Sequence, residues 1–328
     1  MKTVRLGTIG SGVIVHSILD NVARTEGITL EAVYSRTRET GEALAAQYGC
    51  AKVYTDLDVF LKDPDIDLVY IATPNLLHYP QAKQALLAGK HVLLEKPFTT
   101  RADHAAELIR IAKERGLFLL EAVPTAFLPN LGVLKEQLPK IGPVRLVMGN
   151  YSQYSSRYDR VLAGEKPNIF NPEYGGGCLM DLNYYNIYLN VALFGKPEDA
   201  VYYPNIHPGL ADTSGVAVLR YDGFVSQNAG AKDTWGVNFF QIEGEKGYLY
   251  VENGPNGLDG VRVVTRQEDR VLNLQPNPDR WAYEVEAVTQ LLLTENYEAA
   301  YACLDTTLAA VETLESCRRG AGIRFPGD

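Results

Sequence analysis

The feature that most limits what this chain can fold into is a strand that breaks into a glycine-rich turn and passes straight into a helix. Residues 3–9 are strand-like. Gly7-Thr8-Ile9-Gly10-Ser11-Gly12 carries the turn, and residues 13–22, beginning at Val13, carry an apolar helical pattern. Gly10 and Gly12 allow a tight turn and close approach to a pyrophosphate, and the helix N-terminus that follows offers unbonded N–H groups to an anion. A full G-x-G-x-x-G pattern would place a third glycine at Val15, so the fingerprint is incomplete and takes its weight from the strand–turn–helix context.

The alternation continues through about residue 120. Residues 30–34, 67–72, 91–94 and 117–120 read as strands, and residues 38–48, 79–88 and 102–115 as helices. Short apolar strands separated by helices imply βαβ units and a doubly wound parallel Rossmann sheet, whose ligand crevice lies at the carboxyl ends of the strands. The end of the second strand selects the cofactor: a carboxylate there binds a ribose 2′-OH, an arginine a 2′-phosphate. Glu31 has roughly the required spacing, but Val33 and Tyr34 continue the strand beyond it. Ser35 then takes the discriminating position, followed by Arg36 and Arg38, which favours NADP(H) over NAD(H). The plainer reading of the two arginines is a solvated helix start.

After about Pro143 the pattern changes. Residues 145–152, 215–221, 224–230, 238–243 and 247–251 are strand-like, with glycine turns at Tyr221-Asp222-Gly223 and Glu243-Gly244-Glu245. Residues 180–194, 282–293 and 299–318 read as helices. We therefore expect a dinucleotide-binding Rossmann domain over 1–122 and an α+β domain with a mainly antiparallel open sheet over 123–328, serving substrate binding and oligomerisation.

Composition removes several function classes. The net charge of −9 argues against a nucleic-acid surface. No stretch approaches the ~20 apolar residues of a membrane-spanning helix, and charge interrupts the N-terminus too early for a signal peptide. The four cysteines form no C-x-x-C pair and the five histidines no H-x-x-x-H pair, so no metal site is expected, and reduced thiols in the cytoplasm are.

Three further motifs carry the chemistry. Ala72-Thr73-Pro74-Asn75-Leu76-Leu77-His78 and Glu95-Lys96-Pro97 each follow a strand, so both turns project toward the same crevice. Gly175-Gly176-Gly177 precedes Asp181 and Tyr185, whose four-residue spacing puts both on one helix face. Together with the glycine turn, this ordered set resembles the glucose–fructose oxidoreductase/inositol dehydrogenase (Gfo/Idh/MocA) family over most of the chain. The resemblance implies that Lys96 reaches the substrate carbinol or carbonyl oxygen near the nicotinamide, that Asp181 and Tyr185 support it, and that Thr73, Pro74, Asn75, His78 and Glu95 belong to the cofactor neighbourhood. His78 has a second reading as a helix-start cap. The chain departs from the family pattern at Ala126 and Leu128, where many members carry Arg and His. Asn183 replaces a usual Gly, and Tyr185 stands where many sugar and inositol dehydrogenases carry His. Tyr151, Tyr154, Arg157 and Tyr158 are candidates for a further pocket wall.

The expected activity is reversible hydride transfer to or from a secondary alcohol or ketone of a sugar, polyol or diol, in a homodimer or homotetramer. Two other classes share the fold: an NAD-dependent glycosidase, which would retain its cofactor and release free sugar, and a non-catalytic cofactor-sensing regulator. Lys96, Pro97 and Asp181 argue against the regulator.

Overall fold

A computed structural model describes residues 2–328. The chain packs as two compact units. One comprises the residues through Val123 together with Asp279–Leu308, and the other Pro124–Pro278 with Ala309–Asp328.

The first unit is a six-stranded sheet of β1 (Val4–Ile9), β2 (Ile28–Tyr34), β3 (Lys52–Tyr54), β4 (Leu68–Ile71), β5 (His91–Glu95) and β6 (Leu119–Ala122), in the order β3-β2-β1-β4-β5-β6. Every pairing is parallel. All four residues of β4 and of β6 are buried, as a sheet covered on both faces requires. The covering helices include α1 (Val13–Val22), α2 (Arg38–Gln47), α3 (Leu57–Lys62), α4 (Asn75–Leu87) and α5 (Ala102–Arg115). In α5, Ala105, Leu108, Ile109 and Ala112 face inward at helical spacing. Asp103 and Lys113/Arg115 sit at the ends the helix dipole favours, and Gly116 terminates the helix at φ +61°.

Three local differences from the sequence reading matter. Strand β3 and helix α3 are too short for periodicity to reveal. Helix α4 starts at Asn75, four residues early, because Pro74 sits at its N-cap and 75–78 carries little amphipathic signal. The segment Asp279–Leu308, far along the chain, packs with the first unit. Asn21 donates to Asp279 at 2.9 Å, Phe118 stacks on Tyr297 at 4.1 Å, and Tyr301 donates to the Leu117 carbonyl at 3.2 Å. Packing thus divides the chain differently from a single cut after residue 122. The segment forms α9 (Arg280–Leu293) and the first half of α10 (Tyr297–Gly320); α6 (Pro129–Gln137), α7 (Tyr158–Leu162) and α8 (Tyr184–Phe194) belong to the second unit.

The second unit is an eight-stranded sheet. Its strands are β7 (Val144–Ser152), β8 (Asp199–Ile206), β9 (Asp212–Tyr221), β10 (Phe224–Ala231), β11 (Phe239–Gly244), β12 (Gly247–Glu252), β13 (Val261–Thr265) and β14 (Asp269–Leu272). The order is β14-β13-β12-β11-β7-β10-β9-β8, antiparallel except between β7 and β10. Alternation in β8, with Ala200 and Tyr202 buried and Val201 and Tyr203 exposed, marks one packed face and one open face. Helix α8 lies on the packed face. Asn183 donates to the Asn228 carbonyl at 3.0 Å, Asn186 to the Ala229 carbonyl at 2.9 Å, and Asn190 to the Asn228 side chain at 2.8 Å. All three are fully buried, so these bonds satisfy amide nitrogens that would otherwise be costly. They also explain the unusual Asn183: a Cβ on the facing Gly230 would lie 2.9 Å from the Cβ of Asn183, so glycine on the strand makes room for asparagine on the helix.

Candidate active site

Because the first sheet is parallel, Tyr34, Ile9 and Ile71 lie side by side, with Leu94 next to Ile71. The turns at Gly10, Ser35, Thr73 and Lys96 therefore leave the same sheet edge, where α/β sheets bind ligands.

The glycines of the first turn serve different ends. Gly7 lies inside β1, and a Cβ there would sit 2.6 Å from the Phe60 ring, so its smallness serves packing and it stands back from the turn. Gly10 has φ +122°, and a Cβ would collide with the Ala72 carbonyl, which lets the first and third turns nest together. Gly12 is the N-cap of α1, and a Cβ there would meet no atom of the chain within 4 Å. No side chain caps α1 and no acidic residue occupies its first turn, while Ser11, Gly12 and Val13 are exposed. That leaves an uncapped helix N-terminus reached across bare backbone, as a phosphate requires. Val15, at the missing third glycine, is core.

At the end of β2, Ser35 is buried and donates its N–H to the Tyr54 carbonyl at 3.0 Å. Glu31 is ion-paired with Lys52 at 2.9 Å, three residues before the strand ends. Arg38 lies on the surface of α2, beside Glu42 at 3.4 Å. Arg36 is exposed, ahead of the Thr37 cap of that helix. Of the two arginines, Arg36 is the one at the strand end.

Thr73 leaves β4, Pro74 caps α4, and Asn75 opens it. His78 is 1% exposed, with Nδ1 3.0 Å from the Pro97 carbonyl and Nε2 2.9 Å from the Thr73 carbonyl. Burial pushes its imidazole below the usual range. Both ring nitrogens face backbone, so His78 joins the third and fourth turns instead of presenting itself to a ligand. Glu95 is the last residue of β5 and is buried; it accepts from the Tyr70 hydroxyl at 2.7 Å and from the Lys96 N–H at 3.1 Å. Lys96 follows, half-buried.

The second unit holds the other predicted pair. Gly177, at φ +134°, abuts the Asp212 carboxylate, and the chain then enters a π-helical turn, Leu179–Asn183, which contains Asp181. Such turns recur at functional sites. Asp212 accepts from the Tyr202 hydroxyl at 2.6 Å and from the Leu179 N–H at 2.7 Å, and complete burial pushes it up to about 6. Asp181 is ion-paired with Lys232, whose side chain is 4% exposed and lies over the Phe170 ring at 5.7 Å. Tyr185 is buried and meets Tyr151 edge to face at 5.6 Å. Tyr154 stacks on Trp235 at 5.6 Å, and Arg157 is exposed at the start of α7. Lys232 escaped the sequence reading, although the position that marks Lys96 also marks it: a lysine directly after a strand, here β10.

Comparison with known proteins bears on the family and the fold. The model of the oxidoreductase family with an NAD-binding Rossmann fold (GFO_IDH_MocA) matches residues 4–122, and that of the GFO/IDH/MocA C-terminal domain matches residues 138–250. The chain is 35% identical over 327 residues to a scyllo-inositol 2-dehydrogenase (NADP(+)) of Bacillus subtilis, covering 99% of each chain. It is 27% identical over 343 residues to a trans-1,2-dihydrobenzene-1,2-diol dehydrogenase of Mus musculus, again covering 99% of each. A 3-ketoreductase from Actinomadura kijaniata, solved with NADP and TDP-benzene, superposes with a TM-score of 0.84 at 23% identity, over 97% of this chain and 98% of that one, and so shares the fold.

Proposed function

The chain belongs to the Gfo/Idh/MocA oxidoreductase family, and from that premise we propose that it oxidises and reduces a cyclic polyol of the inositol type with NADP(H). Hydride transfer between a nicotinamide cofactor and the secondary alcohol or ketone of a sugar, polyol or diol is the activity of its family relatives and of this chain. The finer choices rest on particular residues. One observation carries the site: four turns, including the one bearing Lys96, leave one edge of a parallel sheet beside an uncapped helix N-terminus.

The residues present fit a dinucleotide. Gly10, Ser11, Gly12 and Val13 would hold the pyrophosphate, and the space beyond Gly12 is what a close backbone approach needs. Ser35 and Arg36 would take the 2′-phosphate, since Glu31 is engaged by Lys52 and lies within the strand. Thr73, Pro74, Asn75 and Glu95 line the same edge. When bound, the nicotinamide supplies or accepts the hydride. Lys96 donates a hydrogen bond to the substrate oxygen and exchanges the proton that accompanies oxidation or reduction. Asp181 and Tyr185 bind substrate hydroxyls, with Lys232 holding Asp181. In domain terms, residues 1–122 serve the dinucleotide and 123–328 the substrate.

The second sheet supports a homodimer or homotetramer. Strand register puts Val201 and Val218, Tyr203 and Val216, and Met148 and Gln241 side by side on one face, with Val225 nearby. Val201, Tyr203 and Val225 are exposed, an apolar face of the kind that self-association covers. No helix among the described residues is long and apolar enough to cross a membrane, and no disulfide forms among them, which supports a cytoplasmic site of action.

The test is a fluorescence titration of NADP⁺ and NAD⁺ at equal ionic strength, followed by a turnover assay with scyllo-inositol. Tighter NADP⁺ binding and NADP⁺-dependent oxidation are expected. Equal or tighter NAD⁺ binding contradicts the cofactor assignment.

A further inference from the structure

We propose that Glu121 is a positioning residue for Lys96, holding the turn that carries it from the side opposite His78. The turn Lys96-Pro97-Phe98 leaves β5 with three backbone groups engaged by side chains of three different elements. The Lys96 N–H donates to Glu95 at 3.1 Å. The Pro97 carbonyl lies 3.0 Å from His78 Nδ1. The Phe98 N–H donates to Glu121 Oε1, from the neighbouring strand β6, at 2.9 Å.

Glu121 is itself fixed. It is 4% exposed, and its second oxygen accepts from the hydroxyl of Thr307, on α10, at 2.9 Å. Thr307 is 1% exposed. A buried carboxylate is a costly way to satisfy one N–H, and an apolar residue would pack there at less cost. What a carboxylate adds is direction: two oxygens that accept from donors on different elements fix its plane, and a charge-assisted bond to Phe98 N–H is short and stiff. The turn then has one geometry, and the first atoms of the Lys96 side chain inherit it. The same contact gives the returning C-terminal helix a part in the site, since Thr307 holds Glu121 from behind.

The requirement at position 121 is an acceptor toward Phe98 and a partner for the Thr307 hydroxyl. Gln meets both, with its carbonyl toward Phe98 and its amide toward Thr307. Ala meets neither. The inference rests on Lys96 acting on substrate, so the experiment has one readout that needs no substrate. Amide exchange at Phe98 and the rate of Lys96 acetylation by acetic anhydride are followed by mass spectrometry in wild type, Glu121→Ala, Glu121→Gln and Thr307→Val. Steady-state kinetics are followed with scyllo-inositol and NADP⁺.

Glu121→Ala is expected to speed exchange at Phe98, alter Lys96 acetylation, and lower kcat roughly tenfold to hundredfold with little change in KM or cofactor Kd. Glu121→Gln should restore all of these, and Thr307→Val should move them partway. Faster exchange with wild-type kcat overturns the proposal, as does Gln being as damaging as Ala, since charge and not position would then be at work. If Glu121→Ala does not fold, Thr307→Val decides by the same criteria. If wild type does not turn over scyllo-inositol, the substrate assignment fails on its own, and Lys96 acetylation that is altered in Ala and restored in Gln still supports the clamp, while unaltered acetylation overturns it.

Discussion

Strands β5 and β10 are each followed directly by a lysine, and different contacts hold the two. Lys96 is fixed through its backbone: carboxylates and an imidazole grip the peptide groups around it, and the residue stays half-buried. Lys232 is fixed through its ammonium group, which pairs with Asp181 above the Phe170 ring while the side chain is almost wholly buried. Gripping the backbone fixes where the side chain starts, whereas gripping the charge makes the lysine a support for its partner. Position after a strand marks both residues; the contacts around the Lys96 peptide groups and at the Lys232 ammonium set them apart.

The largest expected difference is between the two methionine substitutions. Lys96→Met should lower kcat by roughly 10²–10⁴-fold, the usual weight of a positioned acid or base, with the melting temperature and NADP⁺ affinity little changed. Lys232→Met should do the reverse to stability. It takes a charged partner from Asp181, and breaking a buried pair costs about 3–5 kcal/mol; with the Asp181 side chain 24% exposed, water takes up part of that, leaving about 2–3 kcal/mol in urea unfolding. Wild-type stability in Lys232→Met would erase the distinction.

The next effect sharpens the cofactor end of the same edge. Arg36→Ala should weaken NADP⁺ by roughly tenfold or more, the loss of one charged hydrogen bond, and leave NAD⁺ binding unchanged. Equal losses for both cofactors would mean that Arg36 serves the helix start and not the 2′-phosphate.

A smaller effect separates two buried carboxyls. In the second unit Asp212 has two donors. In the first, Glu284 is fully buried with neither oxygen bonded among the described residues, and burial, with Glu95 and Glu121 nearby, pushes it well above the usual range. A carboxyl raised on folding destabilises the native state as pH climbs past its unfolded value, because only the unfolded chain releases the proton. Glu284→Met should therefore raise stability by about 1–2 kcal/mol, more at pH 8 than at pH 5, read by urea unfolding at both. A loss of stability at pH 8 would show that the carboxyl has a partner.

Legibility in the sequence follows the same physics. The parallel sheet was readable because β4 is an uninterrupted apolar run, β5 has an apolar centre, and α5 has both a 3.6-residue period and a terminal glycine. β8, β13 and β14 were not, since strands with one wet face mix polar and apolar residues much as loops do. Gly10, Gly12 and Lys96 could be placed because local turns announce themselves. Gly7 looked like part of the phosphate turn, and only the Phe60 ring from α3 shows it to be a packing position. Glu121, Thr307 and Lys232 owe their importance to partners 23, 186 and 51 residues away, a separation that no local pattern encodes.

Lys96 is proposed to move the proton that accompanies hydride transfer. The most direct test is the pH dependence of hydride transfer in a single turnover, with enzyme in excess over NADP⁺ and scyllo-inositol, in wild type and folded Lys96→Met. The wild-type rate is expected to follow one ionisation, and the variant rate to be far lower and no longer to follow it. A variant with the same profile and nearly the same rate would contradict this role.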